Sequence, residues 1–361
     1  MPIRVLVVDD SAFMRKAISM LLEEDSEIEV IGTARDGLEA IEKAKELKPD
    51  VMTLDVEMPR MDGITALKQI MSENPLPVLM LSSMTVEGAQ ATMDALSAGA
   101  VDFIPKQISY VSMDISKVKQ DLISKIKAIA RRHPKLITRP APARILKSKR
   151  PAPISSSNAQ IVLIGISTGG PFSLQKVIPL LSEEFPLPIA IVQHMPPLFT
   201  KSLAERLDSL SLIEVCEAKD GMELTQGKAF IAPGGLHVRF RREGAKVFIV
   251  TSRSPEDTLH HPSVDVMFSS AYDIFGGKIL AAVMTGMGKD GLEGAKLIKS
   301  AGGKILAQSE DTCVVYGMPK AIVDANLADA VVALDDMAST ISSAVSPVSE
   351  SKRPVRTEAS E

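Results

Sequence analysis

The sequence predicts an α/β protein of two doubly wound parallel-sheet domains joined by a linker, and three observations carry that prediction. From Ile3 to about Ala130, apolar runs of strand length alternate with amphipathic stretches of helical period. From Gln160 to about Ser343 a second series of the same kind follows. Between them "RRHPKLITRPAPARILKSKRPAPISSSN", Arg131 to Asn158, is rich in Pro, Ser, Lys and Arg and too poor in apolar residues to pack.

In the first domain, residues 1–130, strands are expected at Ile3–Val8, Ile28–Ala34, Val51–Leu54, Val78–Leu81 and Asp102–Ile104, with a last helix near Ser116–Ala130. Residues 131–158 read as a basic, Pro-rich tether whose charges are solvated. In the second domain, residues 159–345, strands are expected at Gln160–Gly165, Pro188–Gln193, Ala229–Ala232, Ile279–Met284 and Lys304–Ala307, with a hairpin at Leu236–Val250. The tail, residues 346–361, is polar and reads as disordered.

The chain has 361 residues, 45% of them apolar and 24% charged, which suits two globular cores and excludes a disordered protein. A net charge of -4 gives no reason to expect nucleic-acid binding. The opening "MPIRVLVVDD" fits no signal peptide, and no later apolar run approaches the ~20 residues a bilayer needs, so a cytoplasmic protein without membrane insertion is expected. Cys216 and Cys313 lack metal-ligand spacing and read as reduced core thiols. A monomer is the default.

Loops leaving the carboxyl ends of parallel strands converge on one crevice. "VVDDS" puts Asp9 and Asp10 there after the first strand, and "TLDVEMPRMDG" puts Asp55 there after the third. Three carboxylates at such range repel unless a cation or a proton compensates, and their oxygens suit Mg²⁺. Ser82 after the fourth strand and Lys106 after the fifth add a hydroxyl and an ammonium, equipping the crevice to accept a phosphoryl group. These residues resemble the flavodoxin-like receiver domain of bacterial response regulators. The resemblance implies that Asp55 is the phosphoacceptor, that Asp9 and Asp10 join it in binding Mg²⁺, that Ser82 and Lys106 sense the phosphate, and that Phe103 is the aromatic switch. The family has proline after this lysine where this chain has Gln107, which argues against a cis bond there, since a non-proline cis peptide costs ~3 kcal/mol.

In the second domain, "IVLIGISTGGP", Ile161 to Pro171, fits two patterns. As Gly165-x-Ser167-x-x-Gly170 it is a dinucleotide fingerprint with serine at the central glycine, and as Gly165-x-Ser167-x-Gly169 it is a nucleophile elbow. A dinucleotide site needs an acidic residue at the end of the next strand, but "LPIAIVQHMPP" ends in Gln193 and His194. What arrives instead is an imidazole able to activate Ser167. A carboxylate that orients this base is expected at the same sheet edge, and "VMTGMGKDGLEGAK" supplies Asp290 just before a helix whose N-terminus is expected to stabilise its charge. The glycine turn leaves amides around Met287 and Gly288 as candidate oxyanion donors.

The order Ser, His, Asp differs from that of α/β-hydrolases. With "QHMPP", "IAPGGLHV" and "HHPSVDVMFSSAY", these stretches closely resemble the chemotaxis protein-glutamate methylesterase/glutaminase family, whose catalytic domain is Rossmann-like. The resemblance maps a catalytic triad onto Ser167, His194 and Asp290 and an oxyanion contact onto the backbone of Met287, and makes Thr168 a support for the imidazole. It implies demethylation of glutamate γ-methyl esters and deamidation of glutamines on methyl-accepting chemoreceptors, a chemotaxis histidine kinase as phosphodonor, Mg²⁺ for receiver phosphorylation and no cofactor for the esterase step. His133, His237, His260 and His261 are weaker candidates, and adjacent histidines such as His260 and His261 rarely present both rings to one metal. Two alternatives stay open: a response regulator with a binding output, and a serine esterase of another substrate. Loss of turnover in Ser167→Ala excludes the first, while only substrate tests exclude the second.

Overall fold

The computed structural model describes residues 1–106, 115–136 and 158–345. The first domain alternates β1 (Ile3–Val8), α1 (Ala12–Glu23), β2 (Ile28–Ala34), α2 (Gly37–Leu47), β3 (Val51–Asp55), α3 (Gly63–Glu73), β4 (Val78–Ser82), α4 (Val86–Ser97), β5 (Asp102–Pro105) and α5 (Ile115–Leu136). Its five strands are parallel in the order β2-β1-β3-β4-β5, the flavodoxin-like arrangement. Side-chain caps start the helices sharply, Ser11, Asp36, Asp62 and Thr85 each accepting a first-turn amide. A Cβ on Gly63 would lie 1.9 Å from the Asp55 carbonyl oxygen, so only glycine lets α3 begin this close to the end of β3.

The second domain runs β6 (Ile161–Ile166), α6 (Gly170–Val177), β7 (Ile189–Gln193), α7 (Phe199–Leu210), β8 (Glu214–Glu217), β9 (Lys228–Ile231), β10 (His237–Glu243), β11 (Lys246–Ser252), α8 (Val264–Phe275), β12 (Ile279–Val283), α9 (Leu292–Ser300), β13 (Lys304–Gln308), α10 (Met318–Asp324), β14 (Ala330–Val332) and α11 (Leu334–Val345). Seven strands form a parallel sheet in the order β14-β13-β12-β6-β7-β9-β8, while β10 and β11 pair as a separate antiparallel hairpin. From β6 the chain winds outward through β7, then returns to lay β12 on the other side of β6. The crevice of this switch point therefore opens at the carboxyl ends of β6, β7 and β12.

Both expected sheets are present, with strand ends shifted by a residue or so. Two strands were not anticipated, β8 and β14, which are short edge strands whose charged or half-exposed positions give no apolar run. Helix α5 continues past its expected end at Ala130, where Lys127 and Arg131 each pair with Glu27 at 3.0 Å and hold a turn that lacks apolar periodicity. The tether beyond Leu136, the tail from Ser346 and the Lys106–Gln107 bond lie outside the described residues.

The two domains share one apolar cluster that runs from Leu54, Met80 and Met93 to Phe199, Leu203 and Leu207. Phe103 of β5 stacks on Phe199 of α7, with ring centroids 4.5 Å apart. Ser97 at the end of α4 donates to Gln175 Oε1 at 2.8 Å and accepts from Arg206 at 3.2 Å. Val314 of the second domain packs into the cluster that contains Leu81, Ile104 and Leu122 of the first.

Candidate active site

The carboxylate crevice forms as expected in the first domain. Asp9, Asp10 and Asp55 offer oxygens that all lie within 4.8 Å of one another. Lys106 Nζ sits 2.6 Å from Asp55 Oδ2 and 2.8 Å from Asp9 Oδ2. Burial pushes the Asp55 carboxyl up to about 6, against the pull of Lys106 and with help from the Asp9 charge. Burial also opposes the Lys106 ammonium, but its bonds to Asp55 and Asp9 hold it above the ordinary lysine value. Asp9 Oδ2 is buried, and its one polar neighbour is the Lys106 ammonium, so its second lone pair stays open toward the crevice. Three hard oxygen donors converging on one point fit Mg²⁺.

Ser82 lies at the expected strand end, yet its hydroxyl faces α4, donating to Gly88 O at 3.0 Å and accepting from Thr92 Oγ1 at 2.7 Å. Phe103 is buried against the second domain rather than exposed.

At the second crevice β6 delivers Ser167 through a tight turn, with Gly169 in the left-handed region at φ 75°. The turn is pinned by Ser167 N donating to Thr285 O at 2.9 Å and Gly170 N donating to Ser167 O at 2.8 Å. Gly286 allows this approach, because a Cβ there would fall 2.7 Å from that of Ser167. His194 follows β7, and its Nε2 lies 2.8 Å from Asp290 Oδ2. Nε2 therefore carries the proton toward the carboxylate, and Nδ1, buried and without a partner, keeps its lone pair for use as a base. The Ser167 hydroxyl makes no hydrogen bond to the imidazole among the described residues.

Asp290 is stabilised by a helix N-terminus, but not by that of its own helix. Helix α9 is preceded by Gly291, which offers no side-chain cap, whereas Asp290 Oδ1 accepts from Ser263 Oγ and Asp265 N, both at 2.9 Å, and Oδ2 accepts from Val264 N at 2.7 Å. These donors open α8, more distant in sequence, so the carboxylate caps a neighbouring helix. Burial alone would raise its pKa, but His194 and the Asp265 and Val264 amides outweigh burial and hold it well below the usual carboxylate range.

The adjacent Asp265 is pushed up to about 6 by burial and by the Asp290 charge, against the Gly294 amide that it accepts at 2.8 Å. A carboxyl that keeps its proton above the ordinary 3.8 loses stability as pH rises through the interval from 3.8 to about 6, and levels off above it. Asp265→Asn keeps the accepting oxygen and removes this loss. Its thermal midpoint is expected to gain on the wild type across that interval and to hold the gain at higher pH. A constant difference across a series of unfolding curves would show that Asp265 does not titrate there.

Thr168 is buried, but its hydroxyl makes no hydrogen bond to the imidazole as its expected role required; its carbonyl instead accepts from Thr285 Oγ1 at 2.9 Å. The residue stacked on the base is His260, with ring centroids 4.0 Å apart and planes 19° from parallel. Burial, with repulsion from His194 whenever that ring is charged, lowers its pKa to about 4, so it stays neutral beside the imidazole. His237 is buried further back, where Nδ1 accepts from Ser263 N at 3.1 Å and Nε2 lies 3.0 Å from Pro255 O, fixing the cap of α8. The Gly286 amide is occupied by Val315 O at 3.0 Å, while those of Met287 and Gly288 donate to no acceptor among the described residues and stay available to an oxyanion.

The second domain matches the CheB methylesterase family over residues 162–341, and the first matches the response regulator receiver domain over residues 5–114. Protein-glutamate methylesterase/protein-glutamine glutaminase 1 of Oleidesulfovibrio alaskensis is 52% identical over 366 residues, covering 95% of this chain and 99% of that protein. The Thermotoga maritima protein-glutamate methylesterase/protein-glutamine glutaminase is 47% identical, covering 91% of this chain and 94% of its own length. The crystal structure of the Thermotoga maritima CheB methylesterase catalytic domain superposes with a TM-score of 0.50 at 44% identity, covering 52% of this chain and 98% of that one. With both domains matched and relatives aligned over nearly all of its length, the chain belongs to the protein-glutamate methylesterase/protein-glutamine glutaminase family.

Proposed function

We propose that the reaction of this family runs on Ser167, His194 and Asp290, and that the receiver domain holds it in check until Asp55 is phosphorylated. The observation that carries the first half is the 2.8 Å bond between His194 Nε2 and Asp290 Oδ2 at the switch point where Ser167 also lies. It leaves Nδ1 as the base. That nitrogen takes the Ser167 hydroxyl proton as Oγ attacks the γ-ester carbonyl of a glutamate side chain. The Met287 and Gly288 amides receive the negative oxygen. His194 then passes the proton to the departing methoxide, and methanol leaves an acyl-enzyme. Water attacks this ester, giving its proton to Nδ1, and Ser167 departs with that proton to leave glutamate. A glutamine substrate follows the same course with ammonia as the leaving group.

The substrates in this reading are the methylated helices of chemoreceptors, and a chemotaxis histidine kinase phosphorylates Asp55. Mg²⁺ held by Asp9, Asp10 and Asp55 would neutralise charge on the transferred phosphoryl oxygens. Lys106, ion-paired to Asp55, is placed to follow the new charge. The packing of Phe103 on Phe199 and of Val314 into the receiver supports restraint by the first domain, since Phe199 starts the helix after the His194 loop and Val314 lies against Gly169 of the nucleophile turn. A tenfold activation needs only ~1.4 kcal/mol of differential stability between closed and open arrangements.

The test is methanol release from methylated receptor membranes. Release should rise when a small phosphodonor and Mg²⁺ are added, return to the basal rate on chelation, and vanish in Ser167→Ala. Removing residues 1–145 should raise basal release to at least the phosphorylated rate; a folded fragment with an unchanged or lower rate would refute restraint by the receiver. No release from the phosphorylated full chain would refute the substrate.

A further inference from the structure

We propose that Gln193 is a positioning residue that fastens the nucleophile turn to the base turn. The inference rests on the reading of Ser167 and His194 as nucleophile and base. Gln193 is the last residue of β7 and is 2% exposed. Its Nε2 donates to Ser167 O at 2.9 Å and to His194 O at 3.2 Å, so one amide group holds the main chain of both reacting residues. The ladder between β6 and β7 ends beside it, with His194 N donating to Ile166 O at 3.1 Å. Past that bond, among the described residues, the Gln193 side chain is what joins the two turns.

The orientation of the amide follows from its partners. Both are carbonyl oxygens, which only accept, and a flipped amide would set Oε1 against two acceptors. In the observed orientation Oε1 is buried with no hydrogen bond. It is packed toward Gly170, where a Cβ would fall 1.8 Å from it, so the turn is shaped around that oxygen. Leaving a buried acceptor unpaired lowers stability, and an apolar side chain of the same volume would avoid the loss. The donors are what such a side chain lacks. They fix the main chain from which Ser167 Oγ and the His194 ring project, and hence the approach of one to the other. A displacement of about 1 Å at such a point costs on the order of 100-fold in rate.

Two substitutions in the full-length phosphorylated protein test this. Gln193→Met fills the volume without donors and is expected to lower kcat for methanol release by roughly 10- to 100-fold with KM nearly unchanged. Gln193→Glu is expected to match that loss when its carboxylate is ionised against the two carbonyls, and to regain activity relative to the wild type as falling pH protonates it and restores one donor. The deficit of Gln193→Met relative to the wild type should stay constant over the same pH series. A wild-type kcat in both variants, a loss confined to KM, or a Gln193→Glu deficit independent of pH would overturn the assignment. So would loss of the fold in Gln193→Met together with loss of the fold in Gln193→Glu at every pH, which would make the amide purely structural. Ser167→Ala, run in parallel, separates the two levels: turnover surviving in it refutes the nucleophile itself, whereas turnover lost in it but normal in the Gln193 variants refutes only the clamp.

Discussion

Replacing Ser167 with alanine is expected to lower kcat by roughly 10⁵- to 10⁶-fold in a protein that folds normally and still accepts phosphate on Asp55. The size follows from the covalent step, which disappears with the hydroxyl, so the remaining rate comes from water attacking an ester held beside the Met287 and Gly288 amides. The fold should tolerate the change because Ser167 is held by its main chain, through Thr285 O, Gly170 N and Gln193 Nε2. Methanol release and a thermal unfolding curve on the same preparation check both halves. A loss of only a few-fold would mean that the hydroxyl of this turn is not the nucleophile.

Asp290→Asn is expected to lower kcat by roughly 10³- to 10⁴-fold, again with little change in KM. Here the deficit arises in the imidazole. Asp290 Oδ1 accepts from Ser263 Oγ and Asp265 N, and Oδ2 accepts from Val264 N and faces His194 Nε2. An Asn side chain must put its NH₂ in place of one of these oxygens. In place of Oδ1 it opposes the Asp265 amide and weakens the cap of α8; in place of Oδ2 it opposes the Val264 amide and also forces the His194 proton onto Nδ1, the atom that must stay free. Combining it with Ser167→Ala should add almost nothing further, since residues acting as one unit are not additive. Unlike Ser167→Ala, the Asp290 variant should also unfold at a lower temperature. An Asp290→Asn protein with normal turnover would exclude a carboxylate-oriented base.

The parts of the site legible in the sequence are those that parallel-strand topology fixes. Asp9, Asp55, Ser167 and His194 each stand at the end of an apolar run or one step beyond it, Asp290 follows β12 across a glycine turn, and the ends of such runs must meet at one edge. What surrounds them was illegible for a physical reason. The amides that stabilise Asp290 come from Ser263, Val264 and Asp265, brought in by the packing of α8, and no local pattern announces that packing. Val264 seats against Gly165, where a Cβ would fall 2.4 Å from Val264 Cγ1. The stack of His260 on His194 depends on the path of a long irregular segment after β11. Gln193 attracted notice in the sequence only as the acidic residue that was absent. Ser82 was placed at the right strand end, but the direction of its hydroxyl is decided by Thr92, on a helix whose phase the sequence leaves free.

In the proposed mechanism Asp290 has two employments, as the carboxylate that orients a base and as the closure of a helix in the core, and Ser167 has one. Lesions at the two positions should therefore behave as different alleles. A cell carrying an Asp290 lesion would hold little of the altered protein, because a chain with an open helix end is degraded faster, and a second, normal copy of the gene would restore adaptation. A cell carrying Ser167→Ala would hold a full complement of inert protein that still engages receptors and still drains phosphate from the kinase. That allele would interfere with the normal copy, and the geometry of one carboxylate would set which mutations are recessive and which are dominant.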